Sequence, residues 1–90
     1  MNFVALLGRI KGKKDEKTVL LEVNRPVNSE DMDNLLIPCR YWTNSTSCLL
    51  TSLKEGTMLV IKGRLDQDKD IGTYVIVEEI NIINNKWGNI

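Results

Sequence analysis

Leu35-Leu36-Ile37-Pro38-Cys39-Arg40-Tyr41-Trp42 is apolar but for one charge and ends in two aromatic residues. That composition predicts a buried or half-buried strand. Asn44-Ser45-Thr46-Ser47 follows and supplies hydroxyl and amide oxygens suited to capping free N–H groups at a helix start. Leu49, Leu50 and Leu53 then recur at helical spacing, predicting one apolar stripe, and Gly56 falls where a left-handed residue closes a helix. Met58 to Leu65 returns to strand character and ends in Lys62-Gly63-Arg64-Leu65. A strand, a plugging helix and a second strand form the middle of a small five-stranded barrel.

Outward from this centre the pattern continues. Residues 2–10 put Val4, Leu6, Gly8 and Ile10 on one side and Phe3, Ala5 and Leu7 on the other. Both sides are apolar, which fits either a strand central to a sheet or one whose outer side packs on a second subunit. Lys11 to Lys17 reads as a charged connection, solvated or in contact with phosphate. Thr18 to Arg25 alternates, with Val19, Leu21 and Val23 inward and Thr18, Leu20, Glu22 and Asn24 outward, so Ile10 to Arg25 makes a hairpin. Pro26 to Asn34 is polar enough to be a long mobile loop. Asp66 to Gly72 is a second connection, and Thr73 to Ile83 the last strand, with Glu78-Glu79 breaking its alternation as a bulge or an edge does. Pro38 inside a strand likewise calls for a bulge or an edge, and Gly8 and Gly63 for close backbone approach.

Strand, strand, strand, helix, strand, strand is the order of an all-β OB-fold, five strands with one short helix between the third and fourth. Residues 1–84 make that domain and 85–90 a short tail containing Trp87, either folded back on the barrel or an exposed anchor. The 90 residues suffice for one modest core. Twelve basic side chains balance twelve acidic ones, so any nucleic-acid site has to be a local patch rather than a global charge. No run approaches the roughly 20 apolar residues of a membrane helix. Phe3 to Leu7 is too short for a signal peptide, and the expectation is a cytoplasmic protein. There is no histidine, and Cys39 and Cys48 have no CxxC pairing, so structural zinc is close to excluded, as is histidine acid–base catalysis. Both thiols read as reduced, Cys39 in the core and Cys48 near the helix. No carboxylate pair in an apolar pocket and no glycine-rich phosphate loop is present, so neither an enzyme nor a bound cofactor is expected.

Five segments in order resemble the bacterial single-stranded DNA-binding proteins: Met1 to Ile10, Leu21-Glu22-Val23-Asn24-Arg25, Ile37 to Trp42, Leu53-Lys54-Glu55-Gly56, and Lys62-Gly63-Arg64-Leu65. The resemblance implies a homo-oligomer that holds single-stranded DNA, sequence-independently, in replication, recombination or repair. The implied mechanism is base stacking on aromatic rings with basic side chains along the phosphates. Trp42 falls on a position where the family stacks a base; the residues' own reading allows a half-buried packing role as well. Arg40, two residues away on the same side, either lies along phosphate or stacks on a base, or pairs with Glu22 or a neighbouring carboxylate. Arg9, Lys11, Arg25, Lys62 and Arg64 are the remaining candidate phosphate contacts. Phe3, Ala5 and Leu7 are the candidate oligomer contact, and Tyr41 is expected in the core.

The departures are as informative. Val27, Leu36 and Asp70 stand where the family is commonly aromatic, and the last hairpin carries Asp66, Asp68 and Asp70 where the family is basic and aromatic. The family's disordered linker and acidic tail have no counterpart before Ile90. A second function is therefore open: a protein–protein adaptor of the primosomal protein B kind, with weak nucleic-acid binding and replication proteins as partners. RNA in the same groove is a further alternative.

Overall fold

The computed structural model describes residues 1–26, 32–43 and 49–84. The capping segment Asn44-Ser45-Thr46-Ser47, Cys48, Val27 and Trp87 lie outside the described residues. Five strands, β1 (Val4–Lys13), β2 (Thr18–Pro26), β3 (Met32–Tyr41), β4 (Met58–Asp68) and β5 (Gly72–Asn84), close into a barrel in the order β1-β2-β3-β5-β4. The one described helix, α1 (Leu49–Ser52), lies between β3 and β4. All neighbours are antiparallel except β3 and β5, which run parallel over Cys39–Tyr41. This is the OB-fold expected from the element order.

Alternation builds the interior. Ile10, Val19, Leu21, Cys39, Leu59, Ile61, Val75 and Val77 are buried, and Leu50 of α1 plugs the barrel among them. Burying side chains of this size contributes about 1.5–3 kcal/mol each. Tyr41 and Leu53 pack against this cluster. Burial also pushes the Cys39 thiol up to about 12, so it stays protonated and inert.

Several expectations change in the structure. The strands outrun their apolar runs: β1 continues past Ile10 to Lys13 with a bulge at Lys11, β2 and β3 pair as far as Pro26 and Met32, and β4 and β5 pair as far as Asp68 and Gly72. The ends of the expected loop, Pro26 and Met32 to Asn34, thus belong to a β-ribbon, and residues 27–31 lie outside the described residues. Cross-strand polar contacts hold it where apolar pairs are lacking: Arg25 to Asp33 at 3.1 Å and Asn34 Nδ2 to Glu22 at 3.1 Å. Thr18, expected outward, is wholly buried because the Arg40 side chain lies over it. Among the described residues the helix covers only Leu49–Ser52, and Leu49 is exposed rather than part of the apolar stripe. Gly56 does have positive φ (93°), but it serves the turn into β4, where its N–H donates to the Ile10 carbonyl at 2.8 Å. The β2–β3 register runs through Pro38 without a shift, and β5 joins β3 only from Cys39, so Pro38 marks an edge and not a bulge.

The expected bulge at Glu78-Glu79 is present: Lys62 faces Glu79 while Gly63 faces Val77, leaving Glu78 as the extra residue. Gly63 lies beside it with no room for a Cβ, which would collide with the Ile76 carbonyl. Gly8 is similarly placed, a Cβ there coming to 2.5 Å from the Glu22 carbonyl oxygen. At the open end of β1, the Asn2 side chain imitates a strand residue: its Nδ2 donates to the Leu65 carbonyl and its Oδ1 accepts from the Leu65 N–H, both at 2.8 Å.

Gly63→Ala is expected to cost about 3 kcal/mol or more, since backbone and not a flexible side chain must move. Gly12→Ala, with nothing within 4 Å of the new methyl, is expected to change stability by less than about 1 kcal/mol. Urea unfolding of the two variants checks this; equal midpoints would contradict it.

Candidate nucleic-acid interface

β3 leaves the barrel at Tyr41, and the alternation that turns Tyr41 toward the core turns Trp42 out. The Trp42 N–H still holds the Val77 carbonyl at 2.9 Å, extending the β3–β5 ladder by one bond. Its indole is 59% exposed, with the Tyr41 ring 6.2 Å away and tilted by 48°. A fixed backbone carrying a solvent-facing indole is the geometry a stacking platform requires.

Arg40 precedes it on the same side and is held on all of its guanidinium nitrogens. Nε donates to Thr18 Oγ1 at 2.8 Å, Nη1 to Asp68 Oδ2 at 3.2 Å, and Nη2 lies 3.8 Å from Asp15 Oδ2. The guanidinium carbon sits 5.0 Å from the centre of the Tyr74 ring, within cation–π range. Of the two roles open to Arg40, the structure has it paired, and with Asp15 and Asp68 rather than Glu22. Strand register explains the choice: Arg40 faces Thr18 on β2 while Glu22 faces Leu36, and Arg40 faces Ile76 on β5, whose nearby Gly72 faces Asp68 of β4.

The other candidates divide by strand. Lys62 pairs with Glu79 at 3.5 Å, Arg64 with Glu78 at 3.6 Å and Arg25 with Asp33 at 3.1 Å. These pairs are solvent-exposed and contribute little. Arg9 and Lys11 form no ion pair among the described residues, and neither do Lys13, Lys14 and Lys17 of the same arm. Arg9 lines a groove with Leu7, Gly8, Glu22, Asn24 and Met58. Phe3 (66% exposed), Ala5 and Leu7 (56% exposed) lie along the outer side of β1, where Leu7 faces Val60 of β4. Of the positions that lack the family's rings, Leu36 points outward beside Glu22 and Asp70 sits exposed in the β4–β5 turn.

Sequence reasoning missed Thr18, Asp15, Asp68 and Tyr74 as Arg40's partners, which lie 22 to 28 residues from it for the two hydrogen bonds. One signal was available: an Asp heading each of two hairpin turns, whose carboxylate can accept the amide two residues on. Asp15 Oδ1 takes the Lys17 N–H at 3.0 Å, and Asp68 Oδ1 takes the Asp70 N–H at 2.7 Å. The Asp70 and Ile71 amides, with Arg40 beside them, hold the Asp68 carboxyl below its ordinary value. For Asp15, partial burial pushes upward, but the Lys17 amide, the Thr18 contacts and Arg40 together pull it lower.

With this geometry in view, two solved structures are informative. The mitochondrial single-stranded DNA-binding protein Rim1 of S. cerevisiae superposes with a TM-score of 0.65 at 12% identity, over 93% of this chain and 96% of that one. The N-terminal domain of PriB from Thermoanaerobacter tencongensis, described as dimeric, superposes with a TM-score of 0.57 at 21% identity, over 93% of this chain and 98% of that one. No family model and no curated protein sequence matches the chain. The similarity to Rim1 and PriB is one of fold. That fold is consistent with the resemblance read from the five sequence segments, that of a diverged OB-fold protein of the single-stranded DNA-binding kind.

Because the folded-state value of Asp68 is lowered, its stabilising contribution is complete above the ordinary value of 3.8 and is lost as pH falls through the lowered one. Wild type is therefore expected to lose thermal stability on acidification below about pH 4, and Asp68→Asn to lose less over the same window. Unfolding curves at a series of acidic pH values measure this. Parallel pH profiles for the two proteins would contradict it.

Proposed function

We propose that this chain is a non-catalytic, largely sequence-independent single-stranded DNA-binding protein serving replication, recombination or repair in the cytoplasm. The observation carrying the reading is an outward indole on a strand end held in the sheet, beside an arm whose cations form no ion pair among the described residues. Trp42 lies two residues, about 7 Å of extended chain, beyond Arg40, and Arg40 touches the turn of the β1–β2 arm through Asp15. Bases stack on Trp42, and phosphates run toward Arg9, Lys11 and the lysines of that arm, adding affinity that salt weakens. Lys62, Arg64 and Arg25 are secondary contacts, since a phosphate has to displace a carboxylate from each. The fold shared with Rim1 supports the same reading.

The apolar outer side of β1 is assigned to a second copy of the chain. Phe3, Ala5 and Leu7 together expose more apolar surface than a strand facing water normally carries, and a homo-oligomer covers it.

An adaptor with secondary DNA binding is the competing reading, favoured by the carboxylates of the β4–β5 hairpin and by Leu36 and Asp70 where rings are common. Fluorescence titration with a long oligo-dT at two salt concentrations, with the oligomeric state measured in the same buffer, separates the two. Binding is expected to quench Trp42 and to weaken as salt rises, and Trp42→Ala is expected to bind about 10-fold or more weakly. An unchanged affinity in Trp42→Ala would remove the stacking role. No measurable binding by wild type, together with recovery of a helicase or initiator from cells, would select the adaptor.

A further inference from the structure

The two aspartates that hold Arg40 do so in the same way. Asp15 uses Oδ1 for the Lys17 amide of its own turn and turns Oδ2 toward Arg40 Nη2. Asp68 uses Oδ1 for the Asp70 and Ile71 amides of its own turn and gives Oδ2 to Arg40 Nη1. One turn joins β1 to β2 and the other joins β4 to β5, so the two hairpins are tied together across the end of β3 by a single side chain. That side chain is 15% exposed, its guanidinium carbon lies 5.0 Å from the centre of the Tyr74 ring, and two residues on stands the exposed indole of Trp42. Two carboxylate oxygens facing one guanidinium present the same acceptor chemistry as two oxygens of a phosphodiester.

We propose that Asp15 and Asp68 are an internal substitute for phosphate: they occupy Arg40 in the free protein, and a polynucleotide stacked on Trp42 gains the arginine by displacing them. This rests on the binding mode assigned above. Arg40 is in this account a positioning residue in the free protein and a phosphate contact only after exchange. The two aspartates set affinity downward, so the protein holds single strands loosely and both turns are freed together when it binds. The exchange leaves each Asp its own turn, because Oδ1 is not involved.

Asn at either position keeps the oxygen that caps the turn and replaces the one that faces Arg40, which makes the test selective. Oligo-dT affinity and its salt dependence are measured for wild type, Asp15→Asn/Asp68→Asn, the same pair with Arg40→Met, and Asp70→Asn. The last removes one charge from the hairpin that carries Asp68, as Asp68→Asn does, at a side chain with no bond to Arg40 among the described residues. The double variant is expected to bind about 10-fold tighter, with a salt slope steeper by about 0.7, the increment for one further phosphate on a single strand. It is also expected to melt at a lower temperature, since the free-state tie is gone. Adding Arg40→Met is expected to abolish the gain, and Asp70→Asn to give less than about 2-fold. A double variant that binds no tighter than wild type overturns the substitute role while leaving the binding function intact. A gain matched by Asp70→Asn, or one that survives Arg40→Met, also overturns it, reducing the effect to general charge repulsion. If neither wild type nor the double variant binds, the proposed function fails and this inference with it. Should the double variant melt below the assay temperature, Asp15→Asn alone is expected to give part of the gain with the same slope change.

Discussion

The sheet closes on itself only because two backbones are allowed to touch. At Gly63 the β4 backbone packs against the Ile76 carbonyl of β5, and at Gly8 β1 comes close, though less tightly, to the Glu22 carbonyl of β2. With side chains at these positions the strands would stand apart, and the barrel interior would be too wide for the aliphatic residues that fill it. Closure removes the free sheet edges over most of the circumference. It also gives every strand one inner and one outer side, so nothing with a function can be inside. Trp42, the cations and the bare apolar side of β1 are all consequences of what closure leaves outward.

Charge is distributed along the same lines. The chain is neutral by count, yet its cations are not equivalent. Those of β4 and the far end of β2 pair with carboxylates, while those of β1 and its turn form no ion pair among the described residues, although Glu22 stands across from Arg9. Arg40 stands between these groups, the one arginine whose partners come from two different turns. A formally neutral protein can in this way present a basic arm, and the net charge says nothing about it.

Much of this was legible in the sequence. The alternation of Val19, Leu21 and Val23, the doubled Glu78-Glu79, the strand glycine Gly63 and the outward turn at Trp42 are local features whose physical meaning survives in any context. What was not legible depended on partners distant in the chain. Asp33 and Asn34 have loop composition, and they join the ribbon because Asp33 meets Arg25 and Asn34 meets Glu22 across the strand pair. Thr18 reads as a surface residue until the Arg40 side chain is laid over it. Leu49 has helical spacing but faces solvent, and of the described turn only Leu50 is buried in the barrel. The Arg40 cluster joins residues from four elements, and no spacing in the sequence announces it.

The central claim is that a single strand follows the end of β3 and the β1–β2 arm, while the outer side of β1 faces another copy of the chain. Ultraviolet cross-linking of oligo-dT to the protein, with the adducts located by mass spectrometry, tests this most directly. The account expects the principal adduct on Trp42. Adducts confined to Phe3 on the outer side of β1, with Trp42 unmodified, would contradict it.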